Sequence, residues 1–240
     1  MSDLQKLTEE IKSHENKPQA SVLRRFFKTG PGQYGAGDRF LGLYVPLQRH
    51  IGRKYAHLSF LDIETLLKSK IHEFRLIGLL ILVDQYEKST DKVRKKKIVD
   101  FYLAHADRIN NWDLVDLSVY KILGDFLLAE KTEPARRILD KMAVSDNIWE
   151  RRMAIVSTFA FIKYGKTEET FRLAVKLLED KHDLIHKAVG WMLREAGKRG
   201  GVDKLRAFLD IHYKKMPRLT LRYALERLSA RERKHYLSKN

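Results

Sequence analysis

Apolar residues recur at helical spacing along nearly the whole chain, in stretches divided by short polar breaks, and this pattern constrains the fold more than any single motif. Between Glu73 and Tyr86, positions Leu76, Leu79, Leu80 and Val83 follow the i, i+3, i+4, i+7 rule of an amphipathic helix. Similar stripes run through Leu61 to Leu67, Val93 to Leu103, Val115 to Phe126, Ile148 to Phe161, Phe171 to Leu178, Leu184 to Ala196 and Leu205 to Ile211. The breaks, such as Lys88-Ser89-Thr90-Asp91, Val144-Ser145-Asp146-Asn147 and Lys198-Arg199-Gly200-Gly201, supply helix caps rather than strands. Only the region near residues 29 to 45 looks non-helical.

Stretch and break alternate so that helix pairs return about every 35 to 45 residues, the period of helical repeats. Identity between the pairs is poor, so the repeat is read from element spacing. The expectation is an all-α, HEAT-like helical repeat solenoid forming one domain over residues 1–240. Such a stack has one continuous core and a concave, here basic, surface, with one short hairpin or loop inserted near residues 29–38.

Charge and composition narrow the function. Against 31 Asp and Glu stand 47 Lys and Arg, a formal charge of +16, and the pI near 9.8 favours a polyanionic partner. The chain has no cysteine, which removes disulfides and thiolate-zinc sites together. The start, MSDLQKLTEEIKSHEN, lacks the basic and apolar regions of a secretory signal, and the longest apolar run, LIGLLILV, is far short of the roughly 20 residues of a membrane span. A cytoplasmic protein with no membrane partner is expected.

Two motifs are set aside. Gly30-Pro31-Gly32-Gln33-Tyr34-Gly35 satisfies G-x-G-x-x-G, but a helix-like stretch precedes it where a dinucleotide site needs a strand, and Gly37 follows where that site needs a helix N-terminus. TGPGQYGAGD reads instead as a hairpin or compact loop whose glycines permit positive backbone dihedrals. Its tip residues Gln33 and Tyr34 are candidate DNA contacts, or part of an ordered surface loop. His182 and His186 are spaced i, i+4, but the glutamate of H-E-x-x-H and a third ligand are missing, so no metal is expected.

The segments NNWDLVD, SDNIWERR and KAVGWMLRE each set an indole beside charged groups on a helix. Asn111 is a plausible N-cap, which puts Trp112 at a helix start and Asp116 one turn on, beside the stripe of Val115, Val119, Ile122 and Phe126. A carboxylate near the polyanion-binding face of so basic a chain is unfavourable unless it has a task. Asp113, in the first turn, has a simpler explanation as a complement to the helix dipole. For Trp112, packing in the core or over the cap explains the residue as well as a functional role does. Trp149 can turn toward the core while Arg151 and Arg152 take neighbouring faces, and an arginine near a helix start, disfavoured by the dipole, suggests binding. Gly190 costs roughly 1 kcal/mol relative to alanine inside a helix, which suggests close backbone approach beside Trp191. Arg194 and Glu195 read as solvated.

These segments, with LRYALERL near the C-terminus, resemble the AlkD-like DNA alkylation repair proteins, HEAT-like repeat DNA glycosylases, over most of the chain. The resemblance implies a monomeric, monofunctional DNA glycosylase without cofactor, acting on double-stranded DNA with N3- or N7-alkylated purines. By motif, Asp116 matches the family's catalytic carboxylate, Trp112 and Trp191 its lesion-side indoles, and Arg152 its DNA-contacting arginine. In this family the lesion is held from its backbone side, without a deep base pocket. The loop TGPGQYGAGD is similar to that of the AlkF and AlkG branch, whose hairpin is associated with DNA binding and little excision. Phe26 stands where the active branch has a tyrosine. Those two departures imply an alternative, a non-catalytic binder of branched or distorted DNA.

Overall fold

The computed structural model describes residues 1–130 and 132–238. Among these residues the regular structure is helical, and extended pairing is confined to an isolated bridge between Arg39 and Ile71. The residues group into two compact units, Met1–Ser118 and Val119–Asn240.

The first unit carries α1 (Asp3–Ser13), α2 (Lys17–Phe26), α3 (Val45–Lys54), α4 (Phe60–Leu67), α5 (His72–Lys88), α6 (Lys92–Ala104) and α7 (Trp112–Val119). Its centre is α5, against which α3, α4 and α6 pack. The stripe at Leu76, Leu79, Leu80 and Val83 predicts a helix with one wet face. Instead α5 is buried on nearly every side, Ile77, Ile81 and Leu82 included. A helix enclosed all round must satisfy its polar groups internally. Gln85 does so by donating from Nε2 to the carbonyls of Ala56 (2.9 Å) and Leu58 (2.8 Å). Glu73 accepts from the amides of Leu41 (3.0 Å), Gly42 (2.7 Å) and Leu43 (3.3 Å), which fixes the segment leading into α3.

The inserted segment after α2 is a compact loop of turns, with no hairpin ladder. Gly32 and Gly37 take positive φ values of 72° and 90°, as the glycine density suggests. Past the loop, Arg39 N–H donates to Lys70 O (2.9 Å) and His72 N–H to Arg39 O (2.8 Å), so the loop exit is pinned to the start of α5.

The second unit opens with a π-helical turn, Tyr120–Gly124, followed by α8 (Asp125–Ala129), α9 (Thr132–Ala143), α10 (Ile148–Ser157), α11 (Phe159–Ile162), α12 (Glu168–Leu177), α13 (Asp183–Gly200), α14 (Val202–His212), α15 (Arg218–Ala224) and α16 (Ala230–Ser238). Two stripes that read as single helices are therefore interrupted. Val115 to Phe126 passes through the π turn, and Ile148 to Phe161 breaks at Thr158, whose hydroxyl donates to Ile155 O (2.6 Å). Central in this unit is α13, packed by α10, α12, α14 and α15. A Cβ at Gly190 would lie 2.5 Å from Thr220 O and 2.5 Å from Tyr223 Cβ, so the glycine is the close-approach point between α13 and α15.

Candidate active site

Asn111 caps α7 as its sequence suggests: its Oδ1 accepts from the Trp112 amide (2.8 Å) and its carbonyl from the Val115 amide (3.2 Å). Trp112 is then the first helical residue and Asp116 follows one turn later, both partly exposed. Both line a cavity of about 330 Å³ whose other walls include Leu23, Phe26, Phe27, Phe40, Leu43 and Tyr44. The wall is an aromatic stack. Phe27 lies 5.2 Å from Trp112 at 17° and 5.0 Å from Phe40 at 19°, while Phe26, 61% exposed, meets the indole edge-on at 5.8 Å. Asp116 thus sets a carboxylate in a mostly apolar wall, where its field is less screened than in water.

Behind the stack lies a buried ionic cluster. His72, 2% exposed, stacks on Phe40 at 4.6 Å and places Nε2 2.8 Å from Asp113 Oδ2 and Nδ1 3.2 Å from Asp38 Oδ2. An ionised carboxylate only accepts hydrogen bonds, so a ring facing one on each nitrogen donates twice and is an imidazolium. Burial alone would push its pKa down, but the Asp113 charge and the bonds to Asp113 and Asp38 outweigh this and raise it from 6.5 to about 9. Arg75 donates to Asp38 Oδ1 (2.7 Å) and to Ser69 O (2.9 Å). Burial opposes ionisation of Asp38, yet His72 and Arg75 hold its carboxyl below the usual range. Asn111 Nδ2 also donates to Asp38 Oδ2 (3.3 Å). Asp38 and Asp113 are balanced by His72 and Arg75 in one ionic cluster.

Asp113 therefore does more than complement the helix dipole. Its Oδ1 accepts from the Leu114 amide (2.8 Å), and its other oxygen ties α7 to α5 through His72. Asp113 and Asp116 both line the cavity, Asp113 as the more buried of the two and bonded to His72.

A model of the DNA alkylation repair enzyme family matches residues 7–228. The chain belongs to that family. Among solved structures, a chain described as a predicted DNA alkylation repair enzyme from Enterococcus faecalis superposes with a TM-score of 0.71 at 16% identity. The match covers 90% of this chain and 98% of that one, and it shows the shared fold. No curated protein matches the sequence. Repair of alkylated DNA is the role the family carries, and DNA the partner it implies. Among the described residues, no helix is long and apolar enough to cross a membrane.

In the second unit of this repair-family chain, Trp149 is buried, and both neighbouring arginines are committed within the protein. Arg151 donates from Nε to Asp180 Oδ2 (2.6 Å) and from Nη1 to Ser145 O (2.8 Å). Arg152, 5% exposed, donates to Leu184 O in the first turn of α13. Trp191 stands half-buried on α13, 6.0 Å from the Phe159 ring. Glu195 corrects the expectation of a solvated residue: it is 6% exposed and pairs with Arg194 at 3.0 Å, because α13 is enclosed by its neighbours there. His182 and His186 serve the start of the same helix, His182 Nδ1 accepting from the Leu184 amide (3.1 Å) and His186 Nε2 donating to Asp180 O.

The loop residues Gln33 and Tyr34 hold the loop itself. Gln33 Oε1 accepts from the Gly30 amide (3.0 Å), and the Tyr34 hydroxyl lies 3.5 Å from Phe26 O. Sequence reasoning missed Phe27, Phe40, Asp38, His72 and Arg75. Asp38 and His72 are separated by 34 positions and His72 and Asp113 by 41, so no local spacing reveals the cluster. The one available signal was polarity, since His72, Glu73 and Arg75 are charged or polar residues just ahead of the apolar run Leu76 to Val83.

Proposed function

We propose that the protein is a monofunctional DNA glycosylase that hydrolyses the N-glycosidic bond of cationic N3- or N7-alkylated purines. The observation that carries this is Asp116 in the wall of the aromatic cavity, beside Trp112. Alkylation at N3 or N7 makes the purine cationic, so the C1′–N bond breaks with its electron pair going to the base, which departs neutral. A positively charged oxocarbenium sugar remains. Asp116 stabilises that charge and takes a proton from the water that attacks C1′, leaving an abasic site. The Trp112 face adds cation-π stabilisation of the sugar.

Trp191 and Arg152 contact the DNA from the second unit. Arg152 meets a phosphate with a guanidinium whose position is already set by Leu184 O. Among the described residues, no lysine lines the cavity, which supports base release without a Schiff-base lyase step.

The test is release of free 3-methyladenine or 7-methylguanine from alkylated duplex DNA, followed by probing for abasic sites and nicks. Free base with intact strands supports the proposal. Release equal to a no-enzyme control favours the other reading, a non-catalytic binder of distorted DNA, which the ordered loop after α2 and the phenylalanine at position 26 support.

A further inference from the structure

Beside Trp191 the second unit builds a surface of alternating rings and cations. Tyr120 opens the π turn, Phe159 opens α11 just after the break at Thr158, and Trp191 stands in the middle of α13. Phe159 lies edge-on to Tyr120 at 5.2 Å and 87°, and 6.0 Å from Trp191, so the three rings form one row. π turns and helix breaks are sparse in ordinary packing and gather at functional sites. Here two such irregularities supply two members of the row.

Lys163, exposed at the end of α11, holds its Nζ 4.7 Å from the Tyr120 centroid and 5.7 Å from that of Phe159. The Arg199 guanidinium, in the last turn of α13, sits 5.6 Å from the Phe159 centroid. Its side chain is 41% exposed, and the nearest acid is the buried Glu195 at 3.8 Å. A cation seated on a ring has surrendered much of its rotamer freedom, so little more is lost when an anion arrives. Aromatic rings interleaved with cations are also the arrangement that tracks a nucleic-acid strand, the rings against base or sugar and the cations on phosphates. Arg152, at 5% exposure, is far less open to solvent than these two residues.

We propose that Lys163 and Arg199, seated on the row Tyr120, Phe159 and Trp191, form a phosphodiester-binding site that grips the DNA backbone beside Trp191. The proposal rests on the reading that this chain acts on DNA, and not on its excising a base.

The experiment titrates an undamaged labelled duplex against the full-length protein by fluorescence anisotropy between about 50 and 200 mM salt. Each of Lys163→Ala and Arg199→Ala should weaken binding at low salt by about threefold or more and flatten the slope of log affinity against log salt by about 0.9; the double variant should flatten it by about 1.8. Lys163→Arg should retain wild-type behaviour. Lys204→Ala removes another exposed lysine of the same unit, one paired with Glu168 at 3.2 Å, and should change neither quantity. Circular dichroism verifies the helical content of every variant, with Lys163→Gln and Arg199→Gln replacing any alanine variant that loses it. A double variant indistinguishable from Lys204→Ala in affinity and slope overturns the site. Undamaged DNA offers no base to release, so a slope change without excision of alkylpurines keeps the site and sinks the glycosylase, while excision without a slope change does the reverse.

Discussion

Replacing His72 with glutamine should expose the buried cluster as a pH-dependent stabiliser of the first unit. The imidazole is raised from 6.5 to about 9 because two carboxylates face its nitrogens despite its burial. At roughly 1.4 kcal/mol per tenfold change, that gap is worth about 3 kcal/mol. The sign follows from which state holds the proton. Below pH 6.5 the ring is protonated folded and unfolded, and the stabilisation is fully present. Between 6.5 and 9 the unfolded chain has released its proton while the folded one keeps it, so stability falls as pH rises, and above 9 the contribution is gone. A glutamine amide cannot donate to Asp38 and Asp113 from opposite sides, which removes the term. Urea unfolding at fixed ionic strength should show His72→Gln less stable than wild type by about 3 kcal/mol at pH 6, the lower end of the cost of breaking a buried ion pair. The difference should shrink toward pH 10, and the His72 ring proton should titrate by NMR near pH 9. Parallel stability profiles for the two proteins, or a ring that titrates near 6.5, would refute the reasoning.

Gly190→Ala forces a methyl to within 2.5 Å of Thr220 O. Such overpacking costs about 1 to 3 kcal/mol, which outweighs the roughly 1 kcal/mol that alanine gains over glycine in a helix interior, and a lower urea midpoint checks it. Deleting Pro31 to Ala36 should preserve the helical circular dichroism spectrum, since the core residues Phe27 and Phe40 lie outside the deleted segment. If the loop serves branched DNA, that deletion weakens binding to a four-way junction more than to a plain duplex; equal affinities before and after assign the loop a purely structural role.

The elements most legible in the sequence were those whose burial is one-sided. The spacing around Leu173 and Leu205 leads directly to α12 and α14. Short or charge-rich helices such as α15 and α16 escaped notice because tertiary packing, more than pattern, selects them. Trp112 and Asp116 were readable because a cap, an indole and an acid fall within two helical turns. The aromatic stack and the ionic cluster were not, because Phe27, Asp38, Phe40 and His72 come from α2's end, the loop exit and α5, and only folding joins them. Asp113 shows the limit most plainly. Its first-turn position already had a sufficient local explanation in the helix dipole, which left nothing to suggest the imidazolium 2.8 Å away.

The central claim is that Asp116 supplies the charge for base excision. Its most direct test is single-turnover release of 7-methylguanine from duplex DNA by wild type and by Asp116→Asn, which keeps size and hydrogen bonding but removes the charge. Wild type should release free base, and the variant should be slower by at least about tenfold, the low end for losing one electrostatic contribution at a transition state, with undiminished affinity for the duplex. Equal rates for the two proteins, or no release by wild type above the uncatalysed background, would contradict it.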